Sequence, residues 1–290
     1  MQKVIKPIFI VGTGRCGSSI FHKLLSYHPQ LSWTTGFCNR LPSMPFINRT
    51  ILRLDNSSII QPFLRRYIKP SETTLYWEYL APGFSTASQE LKAIDLHPKI
   101  KQRIQSAVAL LQISSRNRQL HKFTGWPRIE YLLEIFPDAK FIHVYRDGRA
   151  VAHSLFEMSW WHGWQGPQNW MWGRLSENYQ KEWENSNKAY IVLAAIQWKI
   201  LMDSYEKAIA SCPKEKVIQV KYEDFVENPL DNFEIVLDKC DLNRSAKFVK
   251  TLKSYKLKSA NNKWRDSLTE VQQSLLQKSL KSHLEKYGYA

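Results

Sequence analysis

Ile8-Phe9-Ile10-Val11-Gly12-Thr13-Gly14-Arg15-Cys16-Gly17-Ser18-Ser19 is the stretch on which the reading of this chain turns. A short apolar run ends in a glycine-framed loop, and an amphipathic stretch over residues 18–27 follows at once. That order is strand, turn, helix. It gathers backbone N–H groups and the positive end of a helix dipole around one point, which suits a phosphate or a sulfate. Gly12 and Gly17 have the spacing of a nucleotide-triphosphate loop, but Ser18 stands where that loop carries its lysine. The stretch therefore points to oxyanion binding and away from ordinary ATP or GTP chemistry. A tight turn that binds nothing is the competing reading, and Arg15 is an odd residue for mere packing.

Beyond the loop, the pattern alternates. Ile100, Ile104, Val108 and Leu111 recur at helical spacing and predict a helix over residues 99–118. Residues 121–124 read as the end of a strand, and Pro127 opens a helix through Phe136, proline being suited to the first helical position. Residues 140–145 are rich in β-formers, residues 178–211 have the length of one long helix, and residues 217–222 form a further strand followed by a helix from Pro229 to Cys240. Ser267-Leu268-Thr269-Glu270 has the form of a capping box at the start of the terminal helix. Residues 31–70, punctuated by Pro42, Pro45 and Pro62, read as an irregular excursion over the mouth of the site. Strands alternating with helices predict an α/β fold, P-loop-like, three layers α/β/α with a central, mostly parallel sheet, in one domain over residues 1–290.

Composition excludes several classes. Hydrophobic residues make up 43% of the 290 and there are eleven tryptophans, which rules out a disordered chain. No apolar run reaches the length of a bilayer-spanning helix, and no signal-peptide pattern precedes the first strand. Cys16, Cys38, Cys212 and Cys240 lack disulfide-framework or metal-ligand spacing, so a cytoplasmic protein without a metal site is expected. The net charge of +15 calls for an anionic partner. The charge is concentrated: no acidic residue occurs between Asp95 and Glu130, or from Leu242 through Arg265. The second of these runs is a candidate for peripheral contact with a membrane, and a solvated basic face is its plainer reading.

Ligands of open parallel sheets bind beyond the carboxyl ends of the strands. Three features fall there. The loop is the first. Arg146, leaving the strand of residues 140–145, is the second, with Ser154 eight residues further on in the next helix; together they suit one phosphate. Lys122, just before Thr124-Gly125-Trp126-Pro127, is the third, a cation placed for electrostatic catalysis.

Together these residues resemble the sulfotransferases that use 3′-phosphoadenosine 5′-phosphosulfate (PAPS). Gly12 through Ser19 is similar to that family's 5′-phosphosulfate loop, in a variant with arginine for lysine, and residues 122–154 are similar to its 3′-phosphate segment. Val220-Lys221-Tyr222-Glu223-Asp224-Phe225, Lys263-Trp264-Arg265 and Lys286-Tyr287-Gly288-Tyr289 resemble recurrent segments of the same family, among whose members the chain is most similar to bacterial and tyrosylprotein sulfotransferases. The resemblance implies PAPS as co-substrate, held at its 5′ end by Gly14, Arg15, Cys16, Gly17, Ser18 and Ser19 and at its 3′-phosphate by Arg146 and Ser154. It also implies that Lys263 and Arg265 close over the nucleotide and Trp264 packs on the adenosine. Arg15 and Lys122 would act on the transferring group. The tyrosylprotein members carry a glutamate shortly after a His-Pro pair, whereas His28-Pro29 here is followed by Trp33-Thr34-Thr35-Gly36-Phe37 with no carboxylate. Pro70-Ser71-Glu72 ahead of Trp77 resembles the Pro-x-Glu…Trp stretch of other bacterial members, so Glu72 is the first candidate base and Glu78 the second.

Residues 159–173 hold five of the eleven tryptophans, Trp160, Trp161, Trp164, Trp170 and Trp172. They read either as a lid or lining for the acceptor or as an aromatic cluster packing a loop. The acceptor would be a hydroxyl on a carbohydrate, a lipid-linked sugar, a small molecule or a peptide. The rival readings are a P-loop-type kinase, a nucleotide-binding member without catalysis, and a basic nucleic-acid-binding module.

Overall fold

A computed structural model describes residues 4–85 and 88–289. Five strands form one sheet: β1 (Ile8–Gly12), β2 (Leu31–Trp33), β3 (Arg118–Thr124), β4 (Lys140–Tyr145) and β5 (Val217–Lys221). Their order is β2-β3-β1-β4-β5 and every pairing is parallel, so the sheet is parallel throughout. β1 is a continuous apolar run because both of its faces are covered, as parallel sheets require.

The alternation along β1 divides the core. Ile8 and Ile10 pack with Leu24 and Leu25 of the helix Ser18–Leu25 and with Phe233, Val236 and Leu237 of the helix Pro229–Lys239. Phe9 and Val11 point to the opposite face, among Trp77, Ile104, Val108 and Leu132. The result is the three-layer arrangement. Phe9 is fully buried, with the rings of His121, Phe123, Phe136 and Phe141 at centroid distances from 5.6 to 6.1 Å. Truncating such a residue typically costs about 3–5 kcal/mol through lost transfer energy and the cavity left behind. A third cluster joins the helix Gly148–Phe156 to the helices Tyr190–Ala210 and Glu270–Lys286.

Several local expectations need correction. Residues 31–70 are not irregular: they contain edge strand β2 and the helices Phe37–Arg40, Pro45–Asp55 and Gln61–Tyr67. A buried ion triad holds this segment down. Asp55 accepts from Arg65 Nε at 2.5 Å and from Arg116 Nη2 at 2.7 Å, and Arg65 also donates to Ser26 Oγ at 2.6 Å. The helix expected to reach Arg118 spans Pro98–Leu110, and Arg118 instead begins β3. The helix expected from Pro127 begins at Ile129, after Arg128 in a left-handed conformation. The long helix is two, Glu177–Asn185 and Tyr190–Ala210, parted where Asn187 and Lys188 both take φ 55°. The capping box of the terminal helix is formed by Thr269 and Gln272, two residues later than Ser267 and Glu270.

Candidate functional site

β1, β3 and β4 lie side by side, and the residues leaving their carboxyl ends build the site. After β1, Gly14 (φ 83°), Arg15 (φ 54°) and Gly17 (φ 87°) are left-handed, a geometry that folds successive N–H groups into an anion-binding concavity. Gly17 is the N-cap of the helix Ser18–Leu25, which has no side-chain cap and no acidic residue in its first turn, so its first amides are left for a ligand. Gly17 is also fixed by packing: a Cβ there would sit 2.2 Å from Cδ2 of Tyr222. Arg15 is not a glycine, and its left-handed backbone costs roughly 1–3 kcal/mol, strain that concentrates at ligand clamps. Its Nε donates to Ser154 Oγ at 2.9 Å, joining the loop to the helix after β4.

Lys122 sits within β3, in register with Ile10 of β1, rather than at the end of a short strand. Its side chain is 8% exposed, and the ammonium donates to Ser19 Oγ at 3.0 Å and meets Glu72 Oε2 at 2.9 Å. The other oxygen of Glu72 accepts from the backbone N–H of Thr124 at 2.7 Å and from its hydroxyl at 2.9 Å. Glu72 is thereby fixed between a strand end and the anion loop while remaining 25% exposed. Glu78 is used differently. Its two oxygens accept from Gly83 N and from Ser85 N and Oγ at 2.6–2.7 Å, closing a turn. Burial alone would raise the Glu78 carboxyl, but those hydrogen bonds outweigh it and hold it below the usual range. Of the two sequence candidates for the base, only Glu72 touches Lys122.

Arg146 leaves β4 and is 7% exposed. Its guanidinium lies 4.5 Å over the Tyr222 ring, donates from Nε to Asn261 Oδ1 at 2.7 Å and from Nη1 to the Arg15 carbonyl at 3.1 Å. Glu223, at the start of the helix after β5, organises this corner: one oxygen accepts from Asn261 Nδ2 and, at 3.2 Å, from Asp147 N, and the other from Tyr289 OH at 2.8 Å. Asp147 in turn caps the helix Gly148–Phe156, its carboxylate accepting from Arg149 N at 2.8 Å. Lys263 and Arg265 are exposed on the short helix Lys263–Ser267. Lys263 is near enough to His153 to help lower its pKa, burial being the larger cause. Trp264 departs from the sequence expectation. It is 2% exposed and packed with the helix Gly148–Phe156, with Arg149 and Arg265 each 5.2 Å from its ring, so it is not open to a nucleotide base.

A cleft of about 330 Å³ opens next to Glu72. Thr13, Gly14, Arg15 and Thr124 contribute from the strand ends, and Trp126, Trp160, His162, Met171 and Trp172 from the aromatic side. The tryptophan-rich segment therefore divides. Trp161 and Trp170 are buried, each with its indole N–H bonded, to Gln197 Oε1 and the Gly173 carbonyl respectively. Trp160, 55% exposed, and Trp172 line the cleft. A larger cavity, about 510 Å³ between the helices Glu177–Asn185 and Glu270–Lys286, is lined by none of the strand-end residues. Thr124 and Asn261 were not among the site residues expected from sequence, and Tyr222 and Glu223 stood out only as part of a recurrent segment. No local pattern gives these four their roles, because each acts on a partner far along the chain.

The fold is that of known sulfotransferases. The chain is similar to sulfotransferase STF9 from Mycobacterium avium (TM-score 0.62, 16% identity, 98% of this chain and 77% of that one). It is also similar to STF1 from Mycobacterium tuberculosis H37Rv (0.57, 15%, 96% and 77%). A third likeness is to the sulfotransferase domain of the Synechococcus PCC 7002 olefin synthase (0.52, 14%, 100% and 97%). No curated protein is close enough in sequence to be matched. A profile of the sulfotransferase family matches residues 7–246, a span that includes all five strands, the anion loop, Glu72, Lys122 and Arg146 but stops short of Lys263. The chain belongs to the sulfotransferase family.

Proposed function

We propose that the protein transfers a sulfuryl group from PAPS to a hydroxyl of an acceptor seated in the 330 Å³ cleft. One observation carries the reading. The Glu72 carboxylate, fixed by Thr124 and Lys122, stands between an uncapped anion loop and an aromatic cleft. The donor supplies a sulfuryl group on a phosphate, and transfer exchanges the S–O bond to that phosphate for one to the acceptor oxygen. The loop amides, Arg15, Ser18 and Ser19 hold the 5′ end of the donor. Arg146 and Ser154, already joined through Arg15, serve the 3′-phosphate. Glu72 takes the proton of the acceptor hydroxyl, a role that needs hydrogen-bond reach and an exposed oxygen. Lys122 neutralises charge that develops on the phosphate side, where a fixed cation of low exposure acts most strongly. As in phosphoryl transfer, positioning and electrostatics supply most of the catalysis. Lys263 and Arg265, exposed beside this corner, are the side chains free to close on the nucleotide.

Thermal unfolding with adenosine 3′,5′-bisphosphate, ATP–Mg²⁺ and a DNA oligomer in parallel tests the donor assignment. A ligand present at a hundred times its Kd stabilises the native state by about 2.7 kcal/mol. Stabilisation by the bisphosphate and not by ATP–Mg²⁺ or DNA is expected. The reverse pattern would return the kinase or the nucleic-acid reading.

A further inference from the structure

More than half of the large apolar and aromatic side chains exposed among the described residues fall between residues 37 and 79. Ile59, Phe63 and Tyr67 are 79%, 72% and 79% exposed, and Phe46 and Leu75 are exposed as well. They lie on the helices Pro45–Asp55, Gln61–Tyr67 and Thr74–Leu80 and in the turn between the first two, and all but the last helix fall in residues 31–70, the segment expected from sequence to be an irregular cover. Exposed apolar groups in such number mark a surface that meets something.

The charges around them identify the partner. Asp55 is the one carboxylate ahead of Glu72 in the chain, and it is buried and bound to Arg65 and Arg116. Over residues 37–71 the surface therefore carries Arg40, Arg53, Arg66 and Lys69 with no exposed carboxylate, and the partly exposed Glu72 and Glu78 that follow are held by Lys122 and Thr124 and by Gly83 and Ser85. A second basic element adjoins it. The helix Ala246–Ser254 exposes Lys247, Lys250 and Lys253 within a run that has no acidic residue. The two elements meet at a pocket of about 370 Å³, whose walls include Lys23, Arg66, Thr251 and Ser254. Cations and hydroxyls together suit a phosphate-bearing headgroup, and the Phe63 and Tyr67 side chains stand on the same helix as Arg66.

From this juxtaposition we infer that the face formed by residues 37–79 and the helix Ala246–Ser254 docks the protein on an anionic lipid bilayer. Phe46, Ile59, Phe63 and Tyr67 enter the interface, and the arginines and lysines engage lipid phosphates. Among the described residues no helix is long and apolar enough to cross a membrane, so the attachment is peripheral. Its strength combines apolar area removed from water with screened attraction to the charged surface. The inference stands apart from the sulfuryl-transfer reading and survives its failure.

Flotation of the full chain with vesicles tests it. One set is phosphatidylcholine, the other phosphatidylcholine with about one-third phosphatidylglycerol, a charge density giving each cation near the surface roughly fivefold in affinity. The protein is expected to float with the anionic set and far less with the neutral one. Phe63→Ser with Tyr67→Ser should cut the bound fraction at least about tenfold. Lys250→Glu with Lys253→Glu should do the same and reduce the salt dependence of what remains. Circular dichroism and melting of these exposed-site variants report that the fold is kept, and Ile59→Ser alone serves if the aromatic pair perturbs it. Failure of the parent protein to float with anionic vesicles overturns the inference, as does undiminished flotation of the Phe63/Tyr67 variant. So does concentration-dependent self-association that this variant abolishes while no vesicles are bound, which would assign the face to a second copy of the chain.

Discussion

The loop after β1 and the aromatic cleft beside it are neighbours in space and opposites in construction. The loop is a run of consecutive residues whose backbone does the work: left-handed Gly14, Arg15 and Gly17, then a bare helix N-terminus. The cleft is gathered from several separate stretches, Glu72, Thr124 to Trp126, Trp160 to His162 and Met171 to Trp172, and its character comes from side chains. The loop presents a fixed, local device for an oxyanion, which tolerates little variation because Gly12 and Gly17 lack room for a Cβ. The cleft is a surface whose lining is replaceable without disturbing the sheet.

Glu72 is where the two regions meet, and its replacement should have the largest effect. Glu72→Gln keeps an oxygen for Thr124 but removes the proposed base, so kcat is expected to fall roughly 10²–10⁴-fold. Stabilisation by adenosine 3′,5′-bisphosphate should persist. Equal loss of bisphosphate binding would place Glu72 on the donor side and erase the distinction. Next in size, Arg146→Ala removes a charge-assisted contact worth about 1.5–3 kcal/mol, or roughly 10- to 100-fold in bisphosphate affinity measured by calorimetry. The KM of an acceptor should change little. Trp172→Ala is the converse. It should raise acceptor KM about fivefold while leaving bisphosphate affinity and melting near those of the parent, since stacking on an aromatic wall is worth about 1 kcal/mol.

A smaller effect lies beneath both regions. His121 of β3 and His143 of β4, on the same face of the sheet as Phe9 and Val11, are pushed down to about 3 by burial, from an ordinary value of 6.5. Unfolded, each takes a proton below about pH 6.5 that the folded chain refuses. The unfolded state therefore binds more protons, and stability falls as pH drops from 6.5 towards 3. His143→Phe, which keeps a ring against Tyr205 at 4.4 Å, should flatten that slope in denaturant titrations at pH 7 and pH 4.5. It should leave donor and acceptor affinities alike, which is the sense in which it calibrates the other three.

Legibility in the sequence follows the same division. β1, the loop, β4 and β5 were readable because each is a short contiguous pattern of apolar residues closed by glycine or charge. β2 was not, since Leu31-Ser32-Trp33 is three residues long and becomes a strand only by pairing with Arg118-Gln119-Leu120. The helices of residues 37–67 were hidden by their prolines, which in the structure stand at the first turns of two of them, where a missing N–H costs nothing. Glu72 ranked ahead of Glu78 in sequence only through the resemblance of Pro70-Ser71-Glu72 to a family stretch. One turned to Lys122 and the other to Ser85, a difference set by chain folding and not by their neighbours. Trp264 was placed on the adenosine by the resemblance of Lys263-Trp264-Arg265 to a family segment, but its indole is buried in the helix cluster.

By itself, then, the sequence determined an α/β chain with a glycine-framed loop between its first strand and first helix, because backbone conformation and alternating apolar periodicity are local properties. The tertiary structure alone decided which carboxylate faces Lys122, how Asn261 and Glu223 brace Arg146, and which tryptophans line the cleft rather than fill the core. Those are contacts between residues tens to more than a hundred positions apart, and long-range packing selects among side chains that local chemistry leaves equivalent.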